Sequence, residues 1–114
     1  MAGVAIFDSG VGGLSIAQEI QQQIPALQLI FVSDNEAFPY GTKNEAELTT
    51  RVSEVAARII RQFQPDMLVI ACNTASTVTL PTLREQFELP IVGVVPAIKP
   101  AAQLSHNRCI GVLA

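Results

Sequence analysis

Short, almost unbroken apolar runs alternate along the chain with stretches in which apolar residues recur every three or four positions. Val4-Ala5-Ile6-Phe7 is the first run and has the length of a buried strand. Leu14, Ala17, Ile20 and Ile24 follow at helical spacing, and Pro25 stops that helix. Leu29–Val32 predicts a second strand, closed by Ser33-Asp34-Asn35, with Pro39-Tyr40-Gly41-Thr42-Lys43 in the loop beyond it. Asn44 with Glu47 reads as a capping box, and Leu48, Val52, Val55, Ala56, Ile59, Ile60 and Phe63 form a 3.6-residue stripe behind it.

Pro65-Asp66 turns the chain into a third strand, Met67–Ala71. Leu80, Leu83 and Phe87 share one face of the next helix. Pro81 sits badly in the interior of that helix, where it costs about 3 kcal/mol, unless it falls in the first turn. Ile91–Val95 predicts a fourth strand, about Ala97 to Leu104 a short helix, and Cys109–Leu113 a fifth strand. The predicted order is β-α-β-α-β-α-β-α-β. Strands apolar on both faces indicate an α/β fold, a parallel β-sheet flanked by helices.

Composition adds constraints. Of 114 residues, 49% are hydrophobic and 15% charged, with a mean hydropathy of +0.37. This excludes intrinsic disorder and supplies a core without disulfides or metal staples. The low charge content predicts that some apolar surface is covered by a partner or by further sequence. Net charge is −3 and the 7 basic residues are scattered, so no nucleic-acid partner is indicated. Two cysteines are too few for a disulfide scaffold or a four-ligand zinc site, and a reduced, cytoplasmic chain is expected with no metal. No signal peptide is visible before Asp8, and no run approaches the roughly 20 apolar residues that span a bilayer, so no membrane partner is expected.

In open α/β sheets ligands bind at the carboxyl ends of the strands. Three polar clusters fall there: Asp8-Ser9-Gly10-Val11-Gly12-Gly13, then Asp34 with Pro39-Tyr40-Gly41, then Cys72-Asn73-Thr74-Ala75-Ser76. The glycines allow positive φ and close backbone approach, leaving N–H groups bare for a carboxylate or phosphate; equally, they make an ordinary strand-to-helix turn. Gly10-x-Gly12-x-x-Ser15 with Asp34 is an incomplete dinucleotide fingerprint lacking its third glycine. Cys72 is either a small core residue or a thiol at a helix N-terminus, where negative charge is stabilised. Asn73, Thr74 and Ser76 are polar groups able to hold a ligand's amine or carboxylate. Asp8 either caps its own turn, faces a substrate ammonium or orients a catalytic group. Cys109, at the start of a strand, reads as core, and His106 as solvated. The set suits a small zwitterion and proton abstraction by a thiolate.

Phe7-Asp8-Ser9-Gly10-Val11-Gly12-Gly13-Leu14, Pro39-Tyr40-Gly41-Thr42-Lys43, Ala71-Cys72-Asn73-Thr74-Ala75-Ser76 and Val92-Gly93-Val94-Val95-Pro96-Ala97 together resemble the glutamate racemases. The resemblance runs through the whole chain. It implies a two-lobe pseudo-symmetric racemase fold, of which residues 1–97 are the first α/β lobe and 98–114 the opening helix and strand of a truncated second lobe. It implies cofactor-independent interconversion of L- and D-glutamate, with one cysteine removing the Cα proton and a second reprotonating the opposite face. By motif, Cys72 and Asp8 are the catalytic candidates. Asp8, Ser9, Tyr40, Gly41, Asn73 and Thr74 are the substrate-binding ones.

Glutamate is then the small-molecule partner, a homodimer is possible, and D-glutamate serves peptidoglycan, cell-wall biogenesis and cell shape. Family members are a little over twice this length and carry the second cysteine in a Gly-Cys-Thr segment absent here, so the 114 residues alone are expected to be inactive. Two other readings stand beside this one: a dinucleotide-binding half-domain and a non-catalytic amino-acid-binding module.

Overall fold

The computed structural model describes residues 3–112. Its centre is a four-stranded parallel sheet of β1 (Gly3–Asp8), β2 (Gln28–Ser33), β3 (Met67–Ile70) and β4 (Ile91–Gly93), in the spatial order β2-β1-β3-β4. Four helices accompany it: α1 (Leu14–Gln23), α2 (Glu45–Phe63), α3 (Asn73–Gln86) and α4 (Ile98–Leu104). Two 3-10 turns, Asn35–Ala37 and Tyr40–Thr42, lie between β2 and α2.

The two-residue period of β1 divides the core. Ala5 and Phe7 face α2 and α3, packing with Leu48, Val52, Ala56, Ile59, Leu68, Ile70 and Leu83. Val4 and Ile6 face the other side, with Val69 and with Ile16, Ala17 and Ile20 of α1. This alternation explains why the strands read as continuous apolar runs: each face is covered by helix.

The helix termini follow the sequence in part. Asn44 caps α2, its side chain accepting from the Glu47 N–H at 2.9 Å. Pro81 lies inside α3, not in its first turn. The carbonyl it leaves without a helical partner belongs to Thr77, and both residues are exposed.

The fifth strand is not formed. Residues 109–112 pair with no strand, and Leu113 lies outside the described residues, as do residues 1, 2 and 114. Cys109 is exposed rather than core. Its backbone is taken up locally: its N–H donates to Ser105 Oγ and Asn107 Oδ1, and its carbonyl accepts from the Ser105 hydroxyl. An apolar run becomes a strand only where a sheet edge receives it. Helix α4 carries no buried residue, and the radius of gyration, 15.0 Å, exceeds the roughly 13 Å of a compact chain this long.

Candidate active site

Strand order identifies one special point on the carboxyl edge. The chain runs from β1 to β2 on one side, then crosses back to β3 on the other side of β1. The reversal therefore lies between β1 and β3, where such sheets open a crevice. Ser9 follows β1 and Cys72 follows β3, and their side chains meet there, with Oγ and Sγ 3.7 Å apart. Both are nearly buried, at 8% exposure.

Asp8 builds the turn beneath them. Its Oδ1 accepts from the Ser9 N–H and its Oδ2 from the Gly13 N–H, each at 2.7 Å. One carboxylate thus closes a loop of five residues and hands the chain to α1. Gly13 is needed for its missing side chain: a Cβ there would lie 2.8 Å from the Ala71 Cβ and 3.1 Å from the Asp8 Cβ. No described glycine has positive φ, so the expected left-handed turn gives way to close packing of the start of α1 into the notch between β1 and β3. The capping reading of Asp8 is realised.

Cys72 is the N-cap residue of α3, and Asn73 and Thr74 form the first turn of that helix. Asn73 is exposed and Thr74 half-buried. The free N–H groups of this 14-residue helix and its dipole converge beside the thiol and favour an anionic ligand group. Ser76 does not face a ligand. It is buried, donates to the Ile70 carbonyl at 2.8 Å and accepts from the Val94 N–H at 3.0 Å, tying β3 to the chain after β4.

The second cluster is organised differently. Asp34 follows β2 and is buried. Arg51 of α2 reaches it with a two-pronged contact, Nε to Oδ2 at 2.8 Å and Nη2 to Oδ1 at 2.5 Å. The Tyr40 hydroxyl donates to the same Oδ2, and the Tyr40 ring packs on Phe7 with centroids 6.1 Å apart. The Arg51 guanidinium holds the Asp34 carboxyl below its usual range despite burial. Burial, and the neighbouring Asp34 carboxylate, push the Tyr40 phenol upward.

Asp34 is therefore engaged on both oxygens, and the carboxylate that a dinucleotide ribose requires is taken. Gly41 is exposed, within a turn that packs against α3. Arg51 was not among the residues singled out from sequence. Its signal is its place three residues after Leu48 on the apolar stripe of α2, a charged group on a helix face turned toward the sheet.

Apolar side chains rim the same edge. Val11 and Leu14 follow the Asp8 turn, Phe38 precedes Tyr40 and Val95 follows β4, each at least half exposed. Hollows of about 430 and 450 Å³ lie along α2, lined by Glu47 and Arg51 among others and not by Ser9 or Cys72. Among the described residues no group of three His, Cys, Asp or Glu is placed to hold a metal ion, and no helix is long and apolar enough to cross a membrane. His106 is exposed, as expected.

Known proteins resemble this chain in sequence and fold. A glutamate racemase of Photorhabdus laumondii is 59% identical over 111 residues, covering 97% of this chain and 39% of that relative. A glutamate racemase of Pectobacterium atrosepticum is 53% identical over 111 residues, again 97% of this chain and 39% of the relative. The Escherichia coli glutamate racemase, solved in complex with L-glutamate and the activator UDP-MurNAc-Ala, matches at a TM-score of 0.87 and 53% identity, over 93% of this chain and 40% of that one. The Aquifex pyrophilus glutamate racemase matches at a TM-score of 0.83 and 32% identity, over 92% and 42%. The chain spans about two-fifths of the length of these relatives. Residues 12–114 match the pattern of the Asp/Glu/Hydantoin racemases, and with that match the chain belongs to the Asp/Glu/Hydantoin racemase family.

Proposed function

We propose that this chain supplies one half of a glutamate racemase site and that Cys72 is its acid/base. The observation that carries the reading is the Ser9–Cys72 pair at the β1/β3 reversal. The Cys72 thiolate takes the Cα proton of glutamate, leaving a planar carbanion conjugated with the carboxylate. A thiol on the opposite face, contributed by a second lobe, returns a proton there, and the configuration inverts. A single base returns the proton to the face it left, so inversion needs this partner.

The other residues have matching roles. Asp8 assists Cys72 by fixing the turn that holds Ser9 against the thiol. Ser9 offers a hydroxyl to the substrate. Asn73 and Thr74 receive the substrate carboxylate on the N-terminal N–H groups of α3. Tyr40 and Gly41 meet the substrate through the backbone of their turn, because the Tyr40 hydroxyl is committed to Asp34. Residues 1–97 form the first lobe and 98–114 lead into the second. The apolar rim of Val11, Leu14, Phe38 and Val95 supports this division, since exposed apolar groups around a site mark a surface that another body covers. The reaction needs no cofactor or metal, and D-glutamate made in the cytoplasm feeds peptidoglycan, the cell wall and cell shape.

The test is Cα exchange in heavy water. The protein as its source makes it converts either glutamate enantiomer to the other with deuterium at Cα, and Cys72→Ala removes that exchange. The 114 residues alone present one thiol face and give no brisk inversion; brisk inversion by them alone would refute the division into lobes.

A further inference from the structure

We infer that Arg51 is a positioning residue for the Pro39-Tyr40-Gly41 segment, acting through Asp34 from helix α2. The inference rests on the racemase reading only for what the segment does to substrate; the anchoring itself stands apart from it.

Three contacts define the anchor. Arg51 grips Asp34 with two nitrogens, and Tyr40 donates to the same carboxylate. Tyr40 is 1% exposed and Asp34 6%. On the other flank, the Phe38 ring lies over Gly10, where a Cβ would come within 3.1 Å of it. The segment is thus pinned at one end to the turn that carries Ser9 and at the other to a buried carboxylate. Glu36 adds only a 3.4 Å contact to Arg51 from an exposed position and contributes little.

Removing the guanidinium changes this balance. Asp34 becomes a buried anion with Tyr40 as its remaining side-chain donor. A buried charge without its counter-charge draws in water or a proton, and either loosens the residue that shares it. Tyr40 then leaves Phe7, and the backbone of residues 39–41 is free to drift. Ser9 and Cys72 follow β1 and β3, are held by their own turns and keep their places. The defect therefore falls on substrate binding and not on proton transfer.

Nitration of Tyr40 by tetranitromethane, mapped to its own peptide by mass spectrometry, reads the anchor directly in the protein as its source makes it. In the wild type the ring is shielded and nitration is slow. Arg51→Met raises the rate at least about tenfold, because reaction follows the population of the open segment. Arg51→Lys, which keeps the charge but not the fork, gives a smaller rise of a few-fold. Arg84→Met removes an arginine that donates to the Ile91 carbonyl, and it leaves Tyr40 as slow as wild type.

On glutamate turnover, Arg51→Met raises KM about tenfold with kcat within about twofold, and Arg51→Lys restores most of KM. Nitration at the wild-type rate in both Arg51 variants, or an equal rise in Arg84→Met, overturns the anchor. A fall in kcat with KM unchanged overturns the positioning role. If Arg51→Met does not fold, the Arg51→Lys comparison decides alone. If the wild type itself does not turn over glutamate, the racemase reading fails, and the nitration order still decides whether Arg51 anchors Tyr40.

Discussion

Two aspartates stand at the ends of neighbouring strands of the sheet, and they do opposite work. Asp8 ends β1 and Asp34 follows β2, close enough that the Asp34 N–H donates to the Asp8 carbonyl at 2.9 Å. Both are 6% exposed. Asp8 spends its oxygens on two backbone N–H groups of its own turn. Asp34 spends its oxygens on side chains, Arg51 from α2 and Tyr40 from the following loop. A carboxylate held by backbone shapes a turn within one element and leaves its surroundings open to a ligand. A carboxylate held by a guanidinium and a phenol joins three elements and closes on itself. The thiol meets Ser9 on the turn that the first kind shapes, at the start of α3. The second kind is a latch that holds a loop in place.

The sharpest way to break this contrast is to remove a key group from each side. If Cys72 is the acid/base proposed above, Cys72→Ala in the protein as its source makes it lowers glutamate racemisation by at least about a hundredfold, the lower bound for loss of a positioned acid/base. Tyr40→Phe keeps the ring against Phe7 and lowers the rate by less than tenfold, while costing about 1–3 kcal/mol of stability for the partner left at Asp34. Steady-state rates beside a urea titration measure both. Equal losses of activity in the two variants would place the latch within the chemistry and end the distinction.

Glycines on the two sides respond differently as well. Gly13→Ala puts a methyl against Ala71 and Asp8, both within 3.1 Å, and destabilises the chain by about 1–3 kcal/mol, as overpacking does. Gly41→Ala meets no atom within 4 Å and changes stability by less than about 0.5 kcal/mol. Chemical denaturation midpoints compare them. A large cost at Gly41 would show that the latch side depends on close packing as much as the thiol side.

The parts of this arrangement that depend on local pattern were legible in the sequence. Continuous apolar runs announced strands covered on both faces, the 48–63 stripe announced α2, and Asn44 announced its start. The position of Cys72 at a strand's carboxyl end was legible for the same reason. What depends on distant partners was not. Cys109–Leu113 has the composition of a strand, but strand formation needs an edge to pair with. The place of Pro81 was not legible, because its cost depends on the exposure of Thr77, which only the packing of α3 decides. Asp34 fitted an incomplete dinucleotide fingerprint because its partner is 17 residues away, and nothing local sets the rotation of α2 against β2. The glycines served close approach instead of positive φ, and which of these a glycine supplies is a property of its neighbours.

The two aspartate sites also separate with pH. The folded state lowers the Asp34 pKa from 3.8. Its contribution is therefore present above about pH 4 and is lost as pH falls through the folded value. The folded state raises the Tyr40 pKa from 10.0. Its contribution is present below about pH 10 and is lost as pH rises, because the unfolded phenol ionises first. Thermal melts should show a plateau between these limits. Above pH 10 the wild type loses up to about 1.4 kcal/mol per pH unit more than Tyr40→Phe. Coincident alkaline limbs in the two proteins would mean that the phenol is not held neutral by the latch.

The smallest expected effect tests the thiol side from within. Ser9 Oγ and Cys72 Sγ are 3.7 Å apart, a long contact to a weak sulfur partner. Ser33 Oγ, by contrast, donates to the Gly10 carbonyl at 2.6 Å, fastening the end of β2 to the loop that follows Ser9. Ser9→Ala should therefore cost under about 0.5 kcal/mol and Ser33→Ala about 1 kcal/mol. On the proposed function the order reverses for catalysis: losing Ser9 reduces racemisation several-fold, and losing Ser33 leaves it within about twofold, because the proposed substrate contact is with Ser9 and not with Ser33. If Ser9→Ala proves the costlier in stability and neutral in rate, the hydroxyl belongs to the scaffold, and the open side of the comparison shrinks to Cys72 and the first turn of α3.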